Sequence, residues 1–358
     1  MSPPITAFVE VNVNLNGAAQ ATAFGFGALM GAFTHTVTTD RANGPYFSIA
    51  ELNDAGFTAG VTPAINLWAS KVFAQPNGVG KVTIGRIDAL DANYTASMDA
   101  IEQWIALNNG PAFYLLTIES RAKADILEVD VWASARDVVF LAQSSDADFL
   151  AGTPGNVGEA LNLLETVRTA LAYHADDDEP LDGAWASAGG GLNLDGPGGV
   201  GVWAFHQLVG ITPDNVTGAQ ATAIWDVGGN LYATTSGLAF TSKGTTSAGA
   251  PLFIDVTTTI DWTIKRAQEA VVAMFVNAKP KVPYSNAGVT RAVGAIQGVF
   301  DTGITAGHFS ADLPVIIDAP DVASVSPALK AARRLEVQAS ATIDGAIQQL
   351  TLVIGLNF

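Results

Sequence analysis

Between residues 5 and 15 the chain alternates with a period of two. Ile5, Ala7, Val9, Val11, Val13 and Leu15 face one way; Thr6, Glu10, Asn12 and Asn14 face the other, with Phe8 the exception. Successive side chains of an extended chain point to opposite faces, so this pattern predicts a half-buried strand. The other end is built alike. Leu335, Val337, Ala339, Ala341 and Ile343 alternate with Glu336, Gln338, Ser340 and Thr342. Asp344-Gly345 then marks a two-residue turn into a return strand from Ile347 to Ile354. Both ends read as apolar strands, where polar tails are the common case.

Residues 82–174 alternate between strand and helix patterns. Val82–Ile87, Ala112–Ile118 and Val138–Ala142 read as strands. Tyr94–Leu107, Ser120–Ala133 and Gly158–Leu171 read as helices, the first with Met98, Ile101, Trp104 and Ile105 on one side. Such alternation predicts a largely parallel sheet with flanking helices. The stretch 183–251 is rich in glycine, with GGGLNLDGPGGVG at 189–201 and SKGTTSAGAP at 242–251. These read as loops within a folded unit, because Trp203, Phe205, Leu208 and Val209 lie between them. Beyond them, helices are expected over Thr263–Asn277, stopped by Pro280, and over Asn286–Thr302. A short third helix opens at Ser326-Pro327, with Ser as N-cap, and closes at Arg333-Arg334. No internal repeat of fixed period is present.

Charge sharpens this division. Of 358 residues only 14% are charged, with a net charge of −17. Residues 1–80 carry four acids and two bases, residues 81–250 twenty-one acids and seven bases, and residues 251–358 nine acids and eight bases. An acidic block thus lies between two nearly neutral ends, as expected for a solvated domain inserted between contact-making segments. The acidic balance argues against a nucleic-acid binder, which needs a basic face. With no cysteine, disulfides and thiolate metal sites are excluded. No apolar run approaches the ~20 residues of a membrane helix and the start is unlike a signal peptide, so a soluble product made in the cytoplasm is expected.

Catalytic chemistry is poorly represented. HADDDEP at 174–180 follows an expected strand end, where α/β proteins bind ligands, and His174 with Asp176–Asp178 is the one cluster that suits a metal-dependent hydrolase. Three consecutive carboxylates in an extended segment cannot all face one ion, however, and an acidic surface loop explains them. GFGALMG at 25–31 has the look of a glycine loop, yet Ala28, Leu29 and Met30 read as a buried strand and GxxxxGK[ST] is absent. His35, His174, His206 and His308 lack metal-ligand spacing. No serine sits in a GxSxG elbow. Neither a catalytic constellation nor a cofactor is expected. In SPALKAARRLEV, by contrast, Lys330, Arg333 and Arg334 gather three positive charges in an acidic protein. They suit a helix C-terminus and also suit a partner contact.

Several distal segments occur in an order that resembles one family. DWTIKRAQEAVVAMFVNAKPKVPYSNAGVTRAVGAIQGVFDTGITAGHF at 261–309 looks like the carboxy-proximal core of phage contractile tail sheath proteins, and more narrowly like a compact sheath-like family long described as uncharacterised. DVASVSPALKAARRLEVQASATIDGAIQQLTLVIG at 321–355 continues the likeness. VTIGR at 82–86, Tyr173-His174, PGGVGVWAFHQLVGITPDNVT at 197–217, and Gly229-Asn230 with Tyr232 belong to it too. The likeness is weak between about 90 and 160.

The resemblance implies an α/β (α+β) fold. An inner domain would be built from both chain ends, residues 1–80 and 251–358, with an acidic outer α/β domain, 81–250, inserted between them. It implies a non-enzymatic structural protein that polymerises with itself as helically stacked hexameric rings around a tail tube. Contraction would drive the tube through the host envelope for genome ejection, and the sheath of a bacteriocin or other contractile injection system would look the same. Implied partners are the tube protein and the baseplate and tail terminator proteins, with no direct nucleic acid and no membrane. The expected location is the virion tail, assembled in the host cytoplasm. The terminal strands would be arms that add to sheets of neighbouring subunits, carried by Ile5, Val9, Val11, Val13 and Leu15 at one end and Leu350, Leu352, Ile354 and Phe358 at the other. Lys330, Arg333 and Arg334 would attach the subunit to the tube.

Overall fold

The computed structural model describes residues 27–249 and 252–348. Of the two expected arms, Ile5–Leu15 and Leu350–Phe358 lie outside these residues.

One twisted sheet organises most of the chain. Its strands are β1 (Ala28–Thr34), β2 (Ala42–Tyr46), β3 (Lys81–Ile87), β4 (Leu115–Ile118), β5 (Val139–Ser144), β6 (Thr169–Tyr173), β7 (Asn230–Thr235) and β8 (Leu238–Thr241), in the order β2-β3-β1-β4-β5-β6-β7-β8. The pairs from β3 to β7 are parallel, and antiparallel β2 and β8 close the two edges. Neighbouring residues bury opposite faces. Leu29, Val82, Ile84, Leu115, Val139 and Leu141 pack on one side, and Met30, Leu116, Phe140, Ala142 and Leu171 on the other. Strands β1, β4, β5 and β6 read as nearly continuous apolar runs because helices cover both faces. Helices α1 (Ile49–Asp54), α2 (Pro63–Phe73) and α7 (Leu181–Gly190) cover the first face. The second is covered by α3 (Tyr94–Asn108), α4 (Lys123–Ser134), α5 (Ala147–Ala151), α6 (Val157–Leu164) and α8 (Gly218–Asp226).

The chain then leaves the sheet along α9 (Ile254–Asn277), returns along α10 (Asn286–Ala306), and ends in β9 (Ile316–Asp318), α11 (Pro327–Ala331) and β10 (Gln338–Ser340). A third, smaller core of Trp262, Val299, Phe300 and Phe309 forms there. Gly307, at φ +86, reverses the chain after α10, a backbone conformation that favours glycine.

Four expectations need correction. The division at residue 80 cuts through the sheet, because β1, from residues 28–34, pairs with β3 on one side and β4 on the other. Charge patterning found the acidic block but not the sheet neighbours it shares with the amino-terminal segment. The helix read over 158–171 is α6 followed by strand β6; Glu165 turns the chain at φ +53. The glycine-rich stretch contains helix α7, whose glycines permit contact rather than looping: a Cβ on Gly183 would fall 2.3 Å from Trp68 Nε1. Finally, Leu335–Ile343 is not one long strand. Only 338–340 pair with β9, and Ile343 bridges Phe309.

Candidate functional site

The carboxyl ends of the parallel strands, where α/β enzymes bind ligands, are filled by the chain's own ion pairs. His174, just past β6, is buried between two carboxylates: Nδ1 lies 3.0 Å from Asp214 Oδ2 and Nε2 3.2 Å from Glu179 Oε2. Burial works against its protonation, but hydrogen bonds and charge from Asp214 and Glu179 outweigh this and raise its pKa above the usual histidine value. Asp176, Asp177 and Asp178 are exposed, and they do not converge with His174. Arg121 beyond β4 makes a two-pronged pair with buried Asp182, at 2.6 and 3.2 Å. Gln143 on β5 donates to the carbonyls of Asp176 and Glu179, both at 3.0 Å. These contacts pin the 174–182 segment over the strand ends. No three His, Asp or Glu side chains among the described residues are placed to hold a metal ion.

The opposite, amino-terminal ends of the strands anchor α9. Asp261 accepts two bonds from Arg168, at 2.7 and 2.8 Å, and a third from Tyr114 Oη at 2.8 Å; Arg168 also reaches Asp137 at 3.1 Å. Tyr114, Asp137 and Arg168 each precede a parallel strand; Tyr114 and Arg168 bond Asp261 directly, and Asp137 joins the cluster through Arg168. The flanking carboxylates, with Asp261 foremost, hold the Arg168 guanidinium protonated against the cost of burial. The next residue, Trp262, stacks on His308 at 4.1 Å between ring centres and donates to Asp195 Oδ1 at 2.9 Å. Arg266 clamps the same carboxylate at 2.6 and 2.8 Å. His308 Nε2 donates to Leu194 O at 2.9 Å, and its Nδ1 faces Thr259 Oγ1 at 3.0 Å, the pattern of a neutral ring. Burial lowers its pKa accordingly. The 189–201 glycine run is thus a strap from the sheet to the base of the α9–α10 pair. It is not a phosphate loop.

The carboxy-terminal unit carries the exposed features. β9 and β10 form an antiparallel ladder of three residues each, with Ile316 opposite Ser340, Ile317 opposite Ala339 and Asp318 opposite Gln338. Ile317, Ala341 and Ile343 pack on the small core, whereas Ile316 is 61% exposed. Two short strands are marginal by themselves, and each has one strand partner among the described residues. Helix α11 begins as expected, with Ser326 Oγ accepting from Leu329 N and Pro327 in the first turn. It ends earlier than expected, at Ala331. Arg333 turns left-handed at φ +56, so Lys330, Arg333 and Arg334 do not share one helical turn. Arg333 and Arg334 are exposed and Lys330 is half-buried; Arg334 lies 3.5 Å from Glu336. Sequence reasoning missed the contact between Arg334 and Tyr284, fifty residues away, and the Asp261–Arg168 pair, 93 residues apart. No local signal marks either.

No protein-family model and no curated protein sequence matches the chain. Solved structures do. A chain of the cryo-EM structure of an extracellular contractile injection system, the PVC sheath complex in the contracted state, superposes with a TM-score of 0.68 at 12% identity, covering 98% of both chains. A chain of the anti-feeding prophage (AFP) helical sheath in the contracted state gives 0.65 at 14%, again over 98% of each. A chain of the AFP baseplate, 6-fold symmetrised, gives 0.65 at 15%, over 98% of this chain and 99% of that one. From the sheet through α9 and α10 to the β9–β10 ladder, the chain has the fold of contractile-injection sheath subunits.

Proposed function

We propose that the chain is the sheath subunit of a contractile tail or injection machine, a structural building block with no catalytic role. The observation that carries this reading is the likeness over nearly the whole of both chains to sheath structures. The blocked strand ends around His174 fit it as well, since they leave the sheet as scaffold. One of these neighbours belongs to an extracellular contractile injection system, which favours an injection apparatus. In a phage the same subunit would sit in the virion tail and serve genome ejection.

On this reading, subunits stack as six-membered rings around a tube, between baseplate and terminator. The sheet domain from residue 28 to about 250 faces outward, and the α9–α11 unit faces the tube. The β9–β10 ladder is the acceptor for arms from neighbouring copies. Backbone groups on an open strand edge give directional attachment, and Ile5–Leu15 and Leu350–Phe358 supply the incoming strands. A head-to-tail contact of this kind does not close on itself, so it generates a helix. Lys330, Arg333 and Arg334 face the tube.

Deleting residues 1–15 should leave a folded protein, judged by circular dichroism, that no longer forms tubes. Polymerisation at the wild-type critical concentration would rule the arm assignment out.

A further inference from the structure

Tyr284 joins two basic segments that the sequence keeps apart. Its Oη donates to the Arg334 carbonyl at 2.8 Å. Two residues on, Asn286 donates to Asp321 Oδ2 and accepts from the Val322 amide, both at 2.9 Å. The loop between α9 and α10 is therefore seated on the segment that carries α11. Lys279 and Lys281 lie exposed in that loop, and Arg291 lies about 7.5 Å further along α10 by the rise of a helix. With Lys330, Arg333 and Arg334 they make six basic residues, against Asp318, Asp321 and Glu336, in a protein of net charge −17. Among the described residues, Lys279, Lys281, Arg291, Lys330 and Arg333 make no ion pair.

The same end of the molecule exposes apolar surface. Phe275 and Val276, just ahead of the loop, are 51% and 69% exposed. Aromatic and aliphatic anchors within a ring of charge are the usual make-up of a protein-binding surface. A long polyanion fits less well, because the strongly acidic remainder of the chain repels it.

We propose that Lys279 and Lys281 form, together with α11, one two-part basic surface that docks on an acidic, partly apolar face of the tube protein. Tyr284 is the positioning residue that holds the halves in register. This rests on the sheath reading and extends the tube contact beyond α11. Single surface ion pairs are weak and are screened by salt, so two segments held together give a repeated contact that three residues alone would not.

The test uses the full chain and preformed tubes of its tube protein, cosedimented between about 50 and about 400 mM salt, where screening changes most. The chain's polymerisation without tubes is measured in parallel. K279E/K281E should lose about tenfold or more in tube binding at low salt, yet polymerise normally alone. Y284F keeps every charge, so it should bind more weakly with an unchanged salt slope. K279A/K281A, milder in its effect on folding, should fall between wild type and K279E/K281E. Wild-type tube binding by K279E/K281E at every salt overturns the proposal. So does loss of tube-free polymerisation in the same variant, which would assign the lysines to contacts between copies. Binding of a DNA duplex by wild type but not by K279E/K281E overturns it too. Failure of the wild-type chain both to polymerise and to bind tubes would instead sink the sheath reading itself, and this proposal with it.

Discussion

Replacing Asp261 with Ala removes the carboxylate on which α9 is fastened to the sheet. Asp261 and Arg168 have side chains only 1% and 5% exposed, joined by two bonds of 2.7 and 2.8 Å. Cutting one partner of a buried pair costs about 3–5 kcal/mol, mostly because the other charge is stranded. Asp137, 3.1 Å from Arg168, offsets part of this, which sets the expectation at the lower end, about 3 kcal/mol. Against a typical domain stability of about 5–15 kcal/mol that is a large fraction. Urea unfolding of wild type and Asp261→Ala, followed by circular dichroism, measures the difference. Hydrogen exchange should also accelerate first in residues 254–264, the buried part of α9. Neutralising the whole cluster, Arg168→Met with Asp261→Leu and Asp137→Asn, should cost less than Asp261→Ala alone, because no charge of the cluster is left buried. A loss below about 1 kcal/mol for Asp261→Ala would show that the pair does not fasten the helix.

Two further predictions concern stability. Burial lowers the pKa of His35, to about 4 with help from the Arg86 charge, and burial also lowers His206 and His308. An unfolded chain restores them to about 6.5 and so binds more protons. Their stabilisation is full above that value and drains away as pH falls towards about 4, by up to about 3 kcal/mol for His35 alone. His174, whose pKa is raised, opposes this only as pH rises above 6.5. Melting temperature should therefore drop between about pH 6.5 and 4.5, and a flat profile there would contradict the neutral buried rings. Gly191→Ala should destabilise the chain by about 2 kcal/mol or more, since its Cβ would lie 1.9 Å from the Asn77 carbonyl oxygen, a backbone atom with nowhere to retreat. A thermal melt that leaves the variant unchanged would refute that close approach.

What the sequence revealed follows from how local each signal is. Val82–Ile87 and Tyr94–Leu107 emerged almost as read, because a short strand rich in β-branched residues (Val82, Thr83, Ile84 and Ile87) and a capped amphipathic helix carry their own pattern. Ser326 and Pro327 placed the start of α11 for the same reason. The helix read over 158–171 failed at Glu165. The apolar run hides a reversal there, and Arg168 enters the next strand held by Asp261. Residues 254–262 were missed as helix because Thr257, Thr258 and Thr259 are weak helix formers; burial of all three against the sheet and its flanking loops overrides their propensity. The three charges in and just after α11 were visible in the sequence. Their link to Lys279 and Lys281 was not, since it runs through one tyrosine hydroxyl and a backbone carbonyl fifty residues on.

A sheath role requires that the chain assemble with copies of itself. Electron microscopy of the purified full-length chain, without any tube present, tests it most directly. Hollow helical tubes of uniform width are expected above a threshold concentration. A protein that stays monomeric at every concentration tried would contradict it.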